Sequence, residues 1–374
     1  MTDFELYFES PDGNLPFDER TMGSVITKAW EDGYTFNKVE IALLGIPDMG
    51  QENAVDDHFS VFRNNFYTLA QACNKGMVID LGNLKPGKTT RDTFFGLQHV
   101  VSALLRSSIV PVVFSPNESA VYGLYLAYQH IEKSIHHVSA DYKLDNQPES
   151  TDIITQDNYI HQIIKEYPEV VEELSLIGTQ AYFDTTDRLT TQTLSFNNER
   201  LGVIRQNIFD AESIVRDADM FTIDMNSIRS SDNPANTLGM PGGFYSEEIC
   251  QIAWFAGYSD KVTLFGVFNH FQEFDRQNVS SHLVSQILWH FIEGFSSRPG
   301  DYPASSLDKY TELHVSVKSI DQELVFLRSD KSKRFWLKLN DGKKILPVSY
   351  KEYLDAVNNV LSDRLFRKII HFKS

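Results

Sequence analysis

What most restricts the fold of this chain is a repeated alternation: short apolar runs rich in β-branched residues, each followed by a stretch whose apolar residues recur at helical spacing. A strand covered on both faces needs a continuous apolar run, and two parallel strands need a crossover long enough to hold a helix. The alternation therefore predicts an α/β protein built on a mainly parallel sheet. The runs occupy residues 40–46, 77–81, 109–114, 136–140, 174–178, 220–225 and 261–268. The helix after the second run is predicted to open at Thr89-Thr90, with Asp92 in its first turn and Phe94, Leu97, Val101, Leu104 and Leu105 on one face. Ser246-Glu247-Glu248 opens another, its acidic residues where the helix dipole favours them. Leu283, Ile287, Leu288, Phe291 and Ile292 line a third. Such stripes are what a helix packed on a sheet requires, and no cofactor need be invoked for them.

From Asp301 the texture changes. Alternating runs at 323–328 and 334–339 flank the polar turn Ser329-Asp330-Lys331-Ser332 and read as a β-hairpin, followed by a single helix over 350–369. The expected organisation is an N-terminal extension, 1–37, an α/β body, 38–300, and a hairpin-helix appendage, 301–374, packed on the same body. The appendage carries 14 basic and 10 acidic residues, a net charge of +4, against −21 for the rest. Attraction between the two fits that asymmetry, and two independently solvated surfaces fit it equally. The whole chain, at −17, opposes nucleic acid as a partner. Two cysteines, Cys73 and Cys250, form neither a disulfide framework nor a metal-finger spacing. With an acidic N-terminus and no run approaching eighteen apolar residues, the expectation is a cytoplasmic protein with no membrane contact.

In an open parallel sheet, ligands sit beyond the carboxyl ends of the strands. Three runs end in clustered polar groups there: Ser115-Pro116-Asn117-Glu118-Ser119, Ser139-Ala140-Asp141-Tyr142-Lys143 and Asp224-Met225-Asn226. Carboxylates converging on one crevice repel and raise one another's pKa, so something positive has to balance them.

These segments carry a resemblance. Their order, with Gly45-Ile46-Pro47 after the first strand, Asp80-Leu81-Gly82 after the second, Ile177-Gly178 after the fifth and Pro241-Gly242-Gly243 before the Ser-Glu-Glu helix start, resembles the ureohydrolase family: arginase, agmatinase and formimidoylglutamase. The resemblance spans residues 38–298, about seventy per cent of the chain. It implies a three-layer α/β/α fold, a homo-oligomer and, in active members, two Mn²⁺ ions bridging a hydroxide that attacks a guanidino or formimino carbon. The family's ligands come from G-G-D-H-S, D-A-H-x-D and S-x-D-x-D-x-x-D-P. Carried over one at a time, the first histidine falls on Glu118, with Ser119 kept. In the second motif the first aspartate falls on Ser139, the histidine on Asp141 and the last aspartate on Lys143. In the third, Asp224 keeps its aspartate, Asn226 replaces the second, and Arg229 and Ser230 stand where Asp-Pro would be.

That departure bears on the chemistry. Four carboxylates and two imidazoles suit a pair of Mn²⁺ ions, whereas these positions offer no imidazole and include an ammonium. The expectation is that no metal pair binds and that Lys143 is the positive centre, paired with Asp224, Asp141 and Glu118. Two alternatives stay open: Lys143 snorkels to solvent, or a single Mg²⁺ or Ca²⁺ is held by Glu118, Asp141 and Asp224 with Asn226. His136 and His137 point to opposite faces of one strand and cannot share an ion, and they read, with His161, as structural. The expected function is that of a ureohydrolase-like protein that has lost manganese-dependent hydrolysis and binds a small molecule or a protein partner. The enzymatic alternative is an active hydrolase of linear amidine or guanidino carbon-nitrogen bonds, of the formimidoylglutamase or arginase kind, with manganese.

A second motif points elsewhere. Gly82-Asn83-Leu84-Lys85-Pro86-Gly87-Lys88-Thr89 matches G-x-x-x-x-G-K-[ST] between a predicted strand and helix, a phosphate-loop pattern in which Gly82, Gly87, Lys88 and Thr89 would bind nucleotide. Against it, Pro86 lacks an N–H where one should donate. A proline turn between strand and helix explains the same letters.

Overall fold

The structure, a computed structural model, describes residues 6–11, 17–47, 59–147, 153–183, 195–303 and 307–371. A ten-stranded sheet runs through the body. Its strands are β1 (Phe8–Glu9), β2 (Thr27–Lys28), β3 (Ile41–Gly45), β4 (Val78–Leu84), β5 (Val110–Ser115), β6 (Ile135–Ala140), β7 (Val171–Thr179), β8 (Phe196–Arg200), β9 (Met220–Asp224) and β10 (Leu264–Phe268). They lie in the order β1-β4-β3-β5-β10-β9-β6-β7-β8, with β2 beside β4. All pairings are parallel except β1 with β4.

The seven expected runs each form a strand, because β-branched residues buried on both faces favour the pleat. In β3, Ile41 and Leu43 pack on one side while Ala42 and Leu44 pack on the other. Helices α1 (Ser60–Thr68), α5 (Asp210–Val215), α6 (Ser246–Tyr258) and α7 (Val279–Ser296) cover the first face. Helices α2 (Thr90–Arg106), α3 (Ala120–His130) and α4 (Tyr159–Glu166) cover the second. The result is the α/β/α layering. Thr89 caps α2 reciprocally with Asp92, as the letters predict. Strand β8, Phe-Asn-Asn-Glu-Arg, gives no apolar signal because it is a half-buried edge strand.

The C-terminal part differs from its reading in two ways. The expected hairpin is the middle of a four-stranded antiparallel sheet: β11 (Tyr310–Val317), β12 (Gln322–Ser329), β13 (Phe335–Leu339) and β14 (Lys344–Val348). The single expected helix is two, α8 (Tyr350–Val357) and α9 (Asp363–His371). The break falls at Asn358-Asn359, where Asn359 takes the left-handed conformation (φ +63°) that asparagine tolerates, and Ser362 then accepts the Leu365 N–H to restart the helix. Contacts to the body are polar and buried. Arg216 donates to the carbonyls of Phe335 and Val348 at 3.1 and 3.0 Å, and Lys368 on α9 pairs with Glu173. Among the described residues, no helix is long and apolar enough to cross a membrane.

Candidate functional site

The sheet register sets which residues meet. Phe268 at the end of β10 lies level with Asp224 of β9 and Ser115 of β5, and Ala140 of β6 lies level with Ile223. The residues just beyond these ends, Glu118, Asp141, Asp224, Asn226 and Asn269, therefore gather at one edge of the sheet.

Local geometry fixes each of them. Glu118 sits in the turn before α3, shaped by Asn117, whose side chain accepts the Ser119 N–H at 2.9 Å. Its Oε1 accepts from Tyr159 Oη on α4 at 3.0 Å and its Oε2 from Asn269 Nδ2 at 3.0 Å. Asn269 itself has φ +61°, a left-handed conformation that turns its amide back toward the strand ends. The same Nδ2 donates to Asp224 Oδ1 at 2.8 Å, where the backbone N–H of Asn226 also donates at 2.8 Å. Asp141 Oδ1 accepts the Lys143 N–H at 3.2 Å.

Glu118, Asp141, Asp145 and Asp224 are all buried. One ligand oxygen from each of Glu118, Asp141 and Asp145 lies within 4.8 Å of the others. Burial raises Glu118 well above the carboxylate range, and the charges of Asp141 and Asp224 raise it further. Asp141 is raised in the same way, by burial and then by Asp145 and Asp224. Burial lifts Asp145 to about 7 even though Lys143 opposes the shift. Asp224 rises only to about 6, because hydrogen bonds from Asn226 and Asn269 stabilise its charge.

The expected counter-charge is placed differently. Lys143 Nζ does not pair with Glu118, Asp141 or Asp224; it lies 2.8 Å from Asp145 Oδ1 and 2.5 Å from Asp157 Oδ1. The two aspartates outweigh the effect of burial on the ammonium and hold it protonated. The reason is reach: Lys143 is two residues past Asp141, and the Gln147 N–H donates to the Asp157 carbonyl at 2.8 Å, which keeps Asp157 close to the lysine. Lys143 is neither the centre of the cluster nor a snorkelling side chain. Three carboxyls, Glu118, Asp141 and Asp224, have no cation beside them among the described residues.

The other sequence candidates lie apart. Ser139 is inside β6, its hydroxyl accepting from Thr222 Oγ1 at 2.9 Å, below the carboxylates rather than among them. His136 meets Ser175 and Asp217, and His137 meets Tyr125 and Thr222, so both rings are engaged structurally. Burial pushes the Cys73 thiol up to about 11 and the Cys250 thiol up to about 12, which removes the thiolate a nucleophile needs. The structure gives no support to the phosphate-loop reading. Gly82 lies in β4, which continues through Asn83 and Leu84 as the partner of β1. The N–H of Gly87 donates to Thr93 Oγ1 at 2.9 Å and that of Thr89 to Asp92 Oδ2 at 3.0 Å. Two of the amides that would cradle a phosphate beside Lys88 thus serve the loop's own helix start.

Asp145, Asp157, Tyr159 and Asn269 escaped the sequence reading. Asn269 follows the β10 run immediately, and the strand-end rule would have found it. The other three come from the connection after β6 and from α4, and no local pattern marks them.

The carboxyl cluster opens on a cavity of about 70 Å³, lined by Glu118, Lys143, Asp145, Asp224, Asn226 and Asn269 among others. A water occupies ~30 Å³ of liquid, so this space holds a hydrated ion and not a ligand of the ~300 Å³ class. No histidine lines it among the described residues. Oxygen donors alone suit a hard cation; a manganese pair of the nitrogen-and-carboxylate kind lacks its imidazoles here and meets an ammonium instead.

The sequence matches no protein-family model and no curated protein. Its fold is nevertheless that of the ureohydrolases. The formimidoylglutamase from Bacillus subtilis subsp. subtilis str. 168 superposes with a TM-score of 0.64 at 17% identity, covering 79% of this chain and 99% of that one. Trypanosoma cruzi formiminoglutamase with Mn²⁺ gives 0.62 at 17% identity, covering 72% and 97%. The agmatine ureohydrolase of Thermoplasma volcanium gives 0.59 at 15% identity, covering 74% and 94%.

Proposed function

We propose that this is a ureohydrolase-fold protein that does not carry out manganese-dependent hydrolysis, and that its strand-end pocket serves to bind a ligand. The observation that carries the reading is Lys143. Its ammonium, held by Asp145 and Asp157, lies in the crevice where a hydrolase of this fold would gather a metal pair. Charge repulsion between an ammonium and a divalent cation a few ångströms away amounts to several kcal/mol at the effective dielectric of a protein site, unless anions screen it. The absence of imidazole from the described lining removes the donors that favour manganese over harder cations. Water activation by a bridged metal pair then has no structural basis in this donor set.

The active-hydrolase reading has one observation in its favour, which is that a buried acidic cluster is still present at the strand ends. Assays of urea and formamide release separate the two. The purified chain, incubated with MnCl₂ and then with guanidino and formimino compounds, is expected to release neither product above background. Product formation that depends on Mn²⁺ and disappears in Asp224→Asn would overturn the proposal.

A further inference from the structure

We propose that the outer edge of the appendage sheet pairs with the same edge of a second copy of this chain, β11 against β11 about a two-fold axis, so that two four-stranded sheets become one. The strand lies outside residues 38–298, so the contact belongs to the appendage and is independent of the strand-end pocket.

An edge strand presents a row of open backbone N–H and C=O groups, and folds protect such edges with short strands, lysine, proline, bulges or a covering segment. Strand β8, at one end of the large sheet, has five residues and ends in Glu199-Arg200. Strand β14 contains Pro347, and the carbonyls of Pro347 and Val348 accept from Arg364 at 2.8 Å and Arg216 at 3.0 Å. Strand β11 has none of these devices. It runs for eight residues without lysine or proline and pairs with β12 in unbroken register from Tyr310 to Val317. The Asp330 N–H donates to the Lys309 carbonyl at 3.0 Å, and bonded and open positions alternate along an antiparallel ladder. Glu312, His314 and Ser316 therefore turn their backbone groups outward. Those groups have no hydrogen-bond partner among the described residues.

The strand complements its own reverse. Paired antiparallel about Leu313, Glu312 stands opposite His314 of the partner subunit, Thr311 opposite the partner's Val315 and Tyr310 opposite the partner's Ser316. Glu312 and His314 both turn their backbone outward, so each of the two equivalent pairs exchanges both of its N–H···O bonds. The side chains agree. Glu312 and His314 lie exposed on one face, while Leu313, half-buried, and Val315, buried, belong to the apolar layer on the other. That layer continues across the axis through the partner's Leu313. Lys338 binds Oε1 of Glu312 at 2.6 Å, and Oε2 makes no hydrogen bond among the described residues, which leaves it for the imidazole of the second copy.

The neighbouring registers do not fit. A shift of one pair either way sets Glu312 against the partner's Glu312 or His314 against the partner's His314, and like groups directly opposite are unfavourable. A slip of one residue turns the apolar layer of the second copy to the polar face. An unrelated extended peptide would gain the backbone bonds without this match of charged and apolar side chains.

Sedimentation equilibrium of the full chain across the micromolar range tests the proposal. The wild type is expected to pair reversibly. Because the His314 N–H points away from β12, His314→Pro leaves the chain's own ladder intact and is expected to weaken pairing at least about tenfold. His314→Glu, which faces the partner's Glu312, is expected to weaken it too, and Glu312→Lys combined with His314→Glu to restore it. Leu313→Cys is expected to cross-link to its own copy under mild oxidation, since open antiparallel pairs hold their Cα atoms ~4.5 Å apart, within disulfide reach. The cross-link is scored against the wild type, which carries only Cys73 and Cys250. Should His314→Pro fail to fold, judged by circular dichroism, the charge-swapped pair carries the test. A chain that stays monomeric, an association that neither His314→Pro nor His314→Glu weakens, or a Leu313→Cys protein that does not cross-link would each overturn the proposal. None of these outcomes touches the hydrolysis reading, which fails only on Mn²⁺-dependent release of urea or formamide.

Discussion

Replacing His137 by glutamine should flatten the acid side of the stability profile, and the size of the effect follows from where the ring sits. His137 is fully buried in β6. Its Nε2 lies 2.7 Å from Thr222 Oγ1 and its Nδ1 2.7 Å from Tyr125 Oη. Thr222 spends its own proton on Ser139, so it accepts from Nε2–H, and Nδ1 accepts from the tyrosine. Charging the ring would need a second proton where the Tyr125 hydroxyl already points. Burial first, and then the adjacent His136, lower its pKa to about 3. In the unfolded chain it titrates near ~6.5. Between those two values the unfolded state binds a proton that the folded state does not. The stabilisation is therefore complete above pH ~6.5 and is lost as the pH falls toward 3. At pH 5 the loss is about 2 kcal/mol, from ~1.36 kcal/mol per unit over roughly 1.5 units. Urea unfolding of the wild type and His137→Gln at pH 7 and pH 5 measures it. The variant has a fixed cost of its own, but the gap between the two proteins should narrow by about 2 kcal/mol at the lower pH. Equal gaps at both pH values would refute the neutral-ring account.

Three further outcomes follow from other parts of the structure. Arg63 and Asp80 form a buried ion pair at 2.9 Å, with Tyr67 Oη donating to the same carboxylate at 2.6 Å, so Arg63→Met should cost about 3–5 kcal/mol in chemical unfolding; Arg63→Met/Asp80→Asn should recover part of it. A β-carbon on Gly257 in α6 would stand 2.0 Å from the Phe291 carbonyl oxygen in α7, where only backbone can yield, so Gly257→Ala should lower the melting temperature by several degrees, at about 1–3 kcal/mol or more. MgATP should not shift the melting temperature of either the wild type or Lys88→Ala, and a shift seen only in the wild type would restore the phosphate-loop reading.

Those outcomes depend unequally on what the letters alone disclose. The apolar runs and their helical partners determined the parallel sheet, because strands covered on both faces must be apolar throughout and that signal is local. Thr89 with Asp92 marked a helix start for the same reason: a cap is satisfied within four residues. The gathering of Glu118, Asp141 and Asp224 at one edge of the sheet was legible as well, since each lies at the end of an apolar run or within a few residues past it.

What balances those carboxyls was not legible. Lys143, two residues past Asp141, was the cation nearest them in sequence, and its pairing with Asp157 is invisible to periodicity. Asn269 and Asn226 look like ordinary turn residues until the strands align their amides toward Asp224 and leave two oxygens bare. Electrostatic pairing depends on distances of a few ångströms between residues far apart in the chain. Sequence order carries the period of a strand, and only the assembled sheet decides which charge meets which.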